Sequence, residues 1–278
     1  MSLFATGVNR SLRDISRADQ AASKLGQQLI SGKKVQAPAD NPSTWLQAGR
    51  AQSAATGLDA IQTSLEEITT DLSVVTTTMQ AVGKDLTTMQ GIARQALVFP
   101  AGDPNRQQLI DSYNTVRQQI DTLVDTTSED GARNLMTDPA WNPLAGNLQS
   151  LVGLDGELKT IHAQVIDTGG NGLNVPWLDP LTATDADLQN AIDSLHSAQT
   201  TLSVKAQAVG ADAASIRQYQ TKNSQLSDNY RGNAESLTSV DQTEAAVALQ
   251  SISAQRALSM QSLASIGTSR SAILELLQ

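Results

Sequence analysis

Apolar residues recur in alternating steps of three and four through Ala51, Ala54, Leu58, Ile61, Leu65, Ile68, Leu72, Val75, Met79, Val82, Leu86, Met89, Ala93 and Ala96. The positions between them are mostly Gln, Thr, Ser, Asp, Glu and Ala. A repeat averaging about 3.5 residues lays one narrow stripe along a helix, and that stripe asks for a partner helix. At 1.5 Å per residue, 51–96 predicts a rod of about 69 Å. So long a helix belongs in a bundle, a fibre or a tube wall.

The same pattern recurs on either side. Val8, Leu12, Ile15, Ala18, Ala22, Leu25 and Leu29 predict an amphipathic N-terminal helix, with Arg10, Arg13, Arg17 and Lys24 giving it a basic solvent face. Ser31-Gly32 and Ala37-Pro38-Ala39-Asp40-Asn41-Pro42 end it, because proline disfavours helix at the residue before it. Asn41 is placed to cap the next helix with Pro42 in its first turn. That helix is predicted to run to Val98 and to stop at Phe99-Pro100-Ala101-Gly102. Asp103-Pro104 restarts a shorter helix on the stripe Leu109, Tyr113, Val116, Ile120, Leu123. The short connection implies an antiparallel pair.

Between Asp130 and Pro180, glycines and prolines interrupt any long helix. Hairpins and loops are expected there, with Leu158–Val165 a strand candidate. Helix resumes at Thr184, with Asp187 completing a capping-box pattern. Leu188, Ile192, Leu195, Leu202, Val209 and Ile216 carry a stripe interrupted by Gln199 and Gln220. Arg231-Gly232-Asn233 reads as a break and Ser239 with Gln242 as the next capping box. Leu249, Ile252, Leu263, Ile266, Ile273 and Leu277 line the final helix.

The expected fold is mainly α: a long antiparallel, coiled-coil-like bundle with a small β-hairpin or loop segment in the middle and two terminal helices that pair. Its segments are 1–41, 42–129, 130–183, 184–233 and 234–278. Lone amphipathic helices are marginal in water, so both ends are expected to order on meeting each other and other copies.

Composition narrows the chemistry. In 278 residues, aromatics are 3% against 40% apolar overall, which favours thin Leu/Ile/Val/Ala seams over a thick core. With no cysteine, thiol catalysis and disulfides are excluded. A net charge of −9 argues against a duplex-binding surface. No apolar run is long enough to span a membrane, and the first residues lack a secretory signal. His162 and His196 have no second His at ligand spacing, Glu66-Glu67 faces away from the stripe, and Asp179, Asp185 and Asp187 read as helix caps. Gly169-Gly170-Asn171-Gly172 reads as a turn, since no strong strand precedes it and no Lys-Ser/Thr follows. No constellation supports catalysis, a metal or a cofactor.

Leu29-Ile30-Ser31-Gly32-Lys33-Lys34-Val35 followed by Ala39-Asp40-Asn41-Pro42 resembles the L-S-S/T-G-K-R/K signature and its D-D/N-P sequel near the start of bacterial flagellins. Thr127-Ser128-Glu129-Asp130-Gly131-Ala132-Arg133-Asn134-Leu135 is similar to the family's T-x-F-N-G-x-x-L corner, without its Phe-Asn. Leu237, Asp241, Glu244, Ala245-Ala246, Leu249, Gln255 and Leu258, then Ile273-Leu274-Glu275-Leu276-Leu277, resemble the family's C-terminus.

The resemblance implies a structural subunit of the flagellar filament that polymerises into a helical tube for motility. It places Leu12, Ile15, Leu25, Leu29, Leu263, Ile266, Ile273 and Leu277 in an inner tube. Leu58, Ile61, Leu65, Ile68, Leu72, Val75, Val82, Leu86, Leu188, Ile192, Leu195 and Leu202 form an outer-tube seam, with Ser31, Gly32, Lys33, Asp40, Asn41 and Pro42 as a hinge. It also implies unfolded export by the flagellar type III apparatus to an extracellular filament. The implied partners are other copies and flagellins, filament cap and hook-junction proteins, and an export chaperone on the C-terminal helix, with no nucleic acid or membrane. The alternative within the same architecture is a hook–filament junction protein. The shortness of 130–183 implies a thin filament without a large outer domain.

Overall fold

A computed structural model of the chain describes residues 2–126, 134–140, 142, 143 and 145–276. Its elements in order are α1 (Ser2–Ser31), α2 (Pro42–Ala96), α3 (Pro104–Asp125), β1 (Leu148–Leu151), β2 (Leu158–Ile161), α4 (Asp185–Thr238) and α5 (Gln242–Leu276). The chain divides into two units, Met1–Ala55 with Asp228–Gln278 and Thr56–Ser227, and α2 and α4 contribute to both.

The helix starts follow side-chain chemistry. Asn41 Oδ1 accepts from Thr44 N at 3.1 Å, and Asp103 Oδ1 from Asn105 N at 2.8 Å with Pro104 in the first turn. At α4 the box is reciprocal: Thr184 Oγ1 accepts from Asp187 N at 3.2 Å while Asp187 Oδ2 accepts from Thr184 N at 2.8 Å. Each bond satisfies an amide that the first turn leaves without a partner. Two expected boundaries are corrected. Arg231-Gly232-Asn233 is not a break, because α4 continues to Thr238. A single helical glycine costs only about 1 kcal/mol relative to alanine, and no proline follows to block the next turn. Asp241 rather than Ser239 caps α5, its Oδ1 accepting from Thr243 N at 2.9 Å and Glu244 N at 3.1 Å.

In the Thr56–Ser227 unit α2 and α4 run antiparallel. Thr87 meets Gln199, Thr69 meets Gln220 and Asp59 meets Ser227, so α4 numbering rises as α2 numbering falls. The two glutamines that interrupt the α4 stripe thus serve as cross-helix donors, at 3.2 Å and 3.1 Å to threonine hydroxyls. The core is one continuous seam from Ile61 to Ala96, joined by Ile110, Tyr113, Ile120 and Val124 of α3 and by Leu188 to Ile216 of α4.

β1 and β2 pair antiparallel with Leu148 opposite Ile161 and Leu151 opposite Leu158. Gly156 turns the hairpin with φ of 81°, and Val152 N donates to Glu157 O at 2.8 Å. The expected strand 158–165 is therefore shorter than the apolar run suggested. Beyond Ile161 the chain turns its amides to another segment: Gln164 N donates to Leu135 O and Ile166 N to Met136 O.

Candidate assembly surfaces

In the Met1–Ala55 and Asp228–Gln278 unit, α1 and α5 lie antiparallel along one another. The Gly7 position faces Ile266 Cδ1 at 3.5 Å, Asp19 bonds Arg256 Nε at 2.8 Å, and Lys33 bridges to Ser239. Of the residues expected in an inner tube, Ile15, Leu25, Leu29, Leu263 and Ile266 are half-buried. Leu12 is exposed at 49%. The side chain of Ile273 and all of Leu277 lie outside the described residues. The pair buries one edge of each stripe and leaves apolar surface outside it: Ile30, Val247, Leu258 and Met260 are all exposed. An amphipathic helix with an open apolar face is incomplete as a solitary fold.

The residues expected to hinge form a braced corner. Gly32 takes φ of 69°, a left-handed conformation that suits glycine. Its carbonyl accepts from Val240 N at 2.9 Å, and Lys34 N donates to Thr238 O at 2.7 Å. Ser31 Oγ accepts from Gln36 Nε2 at 2.6 Å and Lys33 N at 3.2 Å. Asp40 Oδ2 accepts from Gln36 N at 3.0 Å and Ala37 N at 3.2 Å, while its Oδ1 meets Lys24 Nζ at 3.3 Å. Those backbone amides, with Lys24 behind them, hold the Asp40 carboxyl below the usual aspartate range. Pro42 then opens α2.

The expected seam is buried throughout. Leu58, Ile61, Leu65, Ile68, Leu72, Val75, Val82 and Leu86 of α2, and Leu188, Ile192, Leu195 and Leu202 of α4, are all in the core. Met79 and Met89 belong with them. Glu66, Glu67, His162 and His196 are exposed. Among the described residues no three His, Asp or Glu side chains gather as metal ligands.

Periodicity did not disclose how 134–183 is held. Polar side chains of α3 and α4 fasten it to the seam. Arg106, buried to 1% exposure, donates to Phe99 O and Ala183 O, each at 3.0 Å, and to Asp185 at 2.6 Å. Asn114 Nδ2 donates to Leu178 O and its Oδ1 accepts from Leu178 N. Arg117 Nε reaches Val175 O at 3.0 Å, and Asp121 accepts from Thr168 N and Oγ1, both at 2.7 Å. From α4, Lys205 Nζ donates to Val165 O at 2.6 Å and Asn223 Nδ2 to Val152 O at 3.1 Å. Burial lowers the Lys205 ammonium below the usual lysine range, with nearby Asp167 opposing that shift. A polar residue inside a helix stripe was the available signal, since Arg106 and Asn114 fall on the α3 face that also carries Ile110 and Tyr113. Of the expected corner at Thr127–Leu135, residues 127–133 lie outside the described residues. Asn134, within it, is buried: its Nδ2 donates to Val124 O and its Oδ1 accepts from Met136 N and Thr137 N.

A family model described as the bacterial flagellin N-terminal helical region matches residues 8–137. Flagellin FljO of Caulobacter vibrioides is 22% identical over 277 residues, covering 98% of this chain and 96% of its own. Flagellin FljM of the same organism is 22% identical over 272 residues with the same coverage, 98% and 96%. A solved structure of a putative flagellar hook-associated protein from Vibrio parahaemolyticus shares the fold, with a TM-score of 0.56 at 14% identity, over 71% of this chain and 100% of its own. Similarity to flagellins thus extends over 98% of the chain, across the central hairpin as well as both helical ends, and residues 8–137 match the helical region at the flagellin N-terminus.

Proposed function

We propose that this chain is a structural subunit of the flagellar filament and that its work is polymerisation. The antiparallel α1–α5 pair carries this reading, because it leaves Leu12, Ile30, Val247, Leu258 and Met260 in the open. Neighbouring copies would cover those side chains, at roughly 25 cal/mol for each Å² of apolar surface removed from water. Full-length similarity to flagellins supports the same reading. The terminal pair would build an inner tube, the α2–α4 seam an outer wall, and residues 31–42 the corner between them. The terminal helices, already paired within one chain, would gain further order as neighbouring copies cover their open faces. Export by the flagellar type III route, an extracellular filament, cap and junction partners, and a chaperone on α5 extend the reading. A hook–filament junction role would use the same fold, and cellular abundance separates the two. Thousands of copies in sheared filaments mark the filament subunit.

The test is seeded polymerisation of heat-monomerised protein viewed by negative-stain electron microscopy, beside a variant lacking 1–33 and 239–278. Long uniform filaments from the full chain alone support the proposal. Compact helical monomers from both chains would overturn it.

A further inference from the structure

The Gly169–Gly172 turn has no part in the surfaces described above, yet it carries the one Asn-Gly step in the sequence. Asparagine followed by glycine is chemically labile, because no Cβ shields the glycine nitrogen from the asparagine side chain. That nitrogen, once deprotonated, attacks Asn171 Cγ. The new N–C bond closes a succinimide, the bond from Cγ to the side-chain nitrogen breaks, and ammonia leaves. Water then adds to either ring carbonyl and reopens the ring as aspartate or isoaspartate. The net change is amide plus water to carboxylate plus ammonia.

The fold restrains both reacting groups. Gly172 N donates to Gly169 O at 3.1 Å, so the nucleophile is engaged. Asn171 Nδ2 donates to Asp138 Oδ2 at 2.6 Å, so the electrophilic carbon is held through its own amide. Asp138 is itself fixed, with Oδ1 accepting from Ala140 N at 2.8 Å and its N donating to Asp167 Oδ2 at 3.2 Å. Asn171 is nevertheless exposed to water. The surroundings are also unsuited to either product. An aspartate at 171 would set a second carboxylate against Asp138, where the amide now donates. An isoaspartate would lengthen the main chain next to Gly172, where even an added Cβ would clash with the Asp167 carbonyl oxygen.

We propose that Asn171-Gly172 is a latent deamidation site, silenced by the folded turn and released whenever the chain is unfolded. Reaction in the unfolded chain then yields a subunit whose turn cannot re-form its link to Asp138. The site records time spent unfolded, and the filament role is not needed for it to do so.

Full-length protein incubated at mildly alkaline pH, folded or in concentrated urea, tests this by peptide mapping for the mass gain at Asn171. Two restraining hydrogen bonds should slow the folded reaction by about tenfold or more. Asp138→Ala should raise the folded rate and leave the urea rate unchanged. Asn171→Asp should lower the unfolding midpoint, and adding Asp138→Asn should restore part of it. Equal rates in folded and unfolded protein would overturn the proposal. So would an Asp138→Ala variant that circular dichroism shows folded but that reacts no faster than the parent.

Discussion

Asn114 holds Leu178 by both edges of its amide, Nδ2 donating to the carbonyl at 2.6 Å and Oδ1 accepting from the N–H at 3.2 Å. One side chain of α3 therefore supplies the pairing that a neighbouring strand would otherwise give that peptide. Buried backbone groups require such partners. Asn114→Ala removes both at once and should lower stability by about 2–4 kcal/mol in urea unfolding. Asn114→Asp turns a buried carboxylate oxygen toward the Leu178 carbonyl in place of a donor, so at neutral pH it should cost at least as much as alanine.

Arg106 should behave differently from an exposed ion-pair partner. Its acid, Asp185, has a side chain 78% exposed, so the pair itself contributes little. The two carbonyls of Phe99 and Ala183 dominate. Arg106→Ala should cost about 2–4 kcal/mol, whereas Asp185→Ala should cost under about 1 kcal/mol. Urea midpoints of the two variants separate these terms.

Leu65 and Leu86 are fully buried in the α2 seam. Truncating either to alanine should cost about 2–5 kcal/mol, since helices packed on both sides collapse poorly into the cavity. Glu66→Ala, one position off the stripe, should stay within about 0.5 kcal/mol. Comparable losses at Leu65 and Glu66 in thermal unfolding would contradict the seam.

Two glycines should respond with opposite signs. At Gly83 an added methyl would lie 3.6 Å from Leu202, an ordinary contact. Gly83→Ala in the middle of α2 should therefore stabilise by about 0.5–1 kcal/mol. At Gly172 the methyl would meet backbone, so Gly172→Ala should destabilise by about 1–3 kcal/mol. Calorimetry of both variants checks the pair.

Acid should loosen the corner between α1 and α2. Backbone amides hold the Asp40 carboxyl below its usual value of 3.8. Its contribution is present above the unfolded-state value and is lost as pH falls through the lower folded-state value. Asp40→Asn should show a shallower loss of α1 helicity between neutral pH and pH near 3, followed by circular dichroism.

The heptad run from Leu58 to Ala96 was legible because one physical demand, burial of a narrow stripe, repeats at every turn. The caps at Asn41, Asp103 and Thr184 were legible for the same reason, since each is a local bond between near neighbours. Gly232 misled, because tertiary packing overrides a small intrinsic penalty. Ser239 misled because Asp241, two residues later, offers the stronger acceptor. The fastening of 134–183 lay outside periodicity altogether. Asn114 to Leu178 and Lys205 to Val165 are single polar contacts between distant segments, and no spacing rule announces them. The apolar character of α1 and α5 could be read along the chain, but which side chains their pairing leaves bare depended on its register.

The antiparallel pairing of α1 with α5 has a consequence for synthesis. α1 is made first, and its partner begins only at Gln242. Closing so long a loop costs little more than closing a medium one, since the entropy rises only with the logarithm of length. What matters is order in time. Until the final helix has been translated, the first has no complement on its own molecule. A chain cut short before α5 therefore displays an unmatched α1.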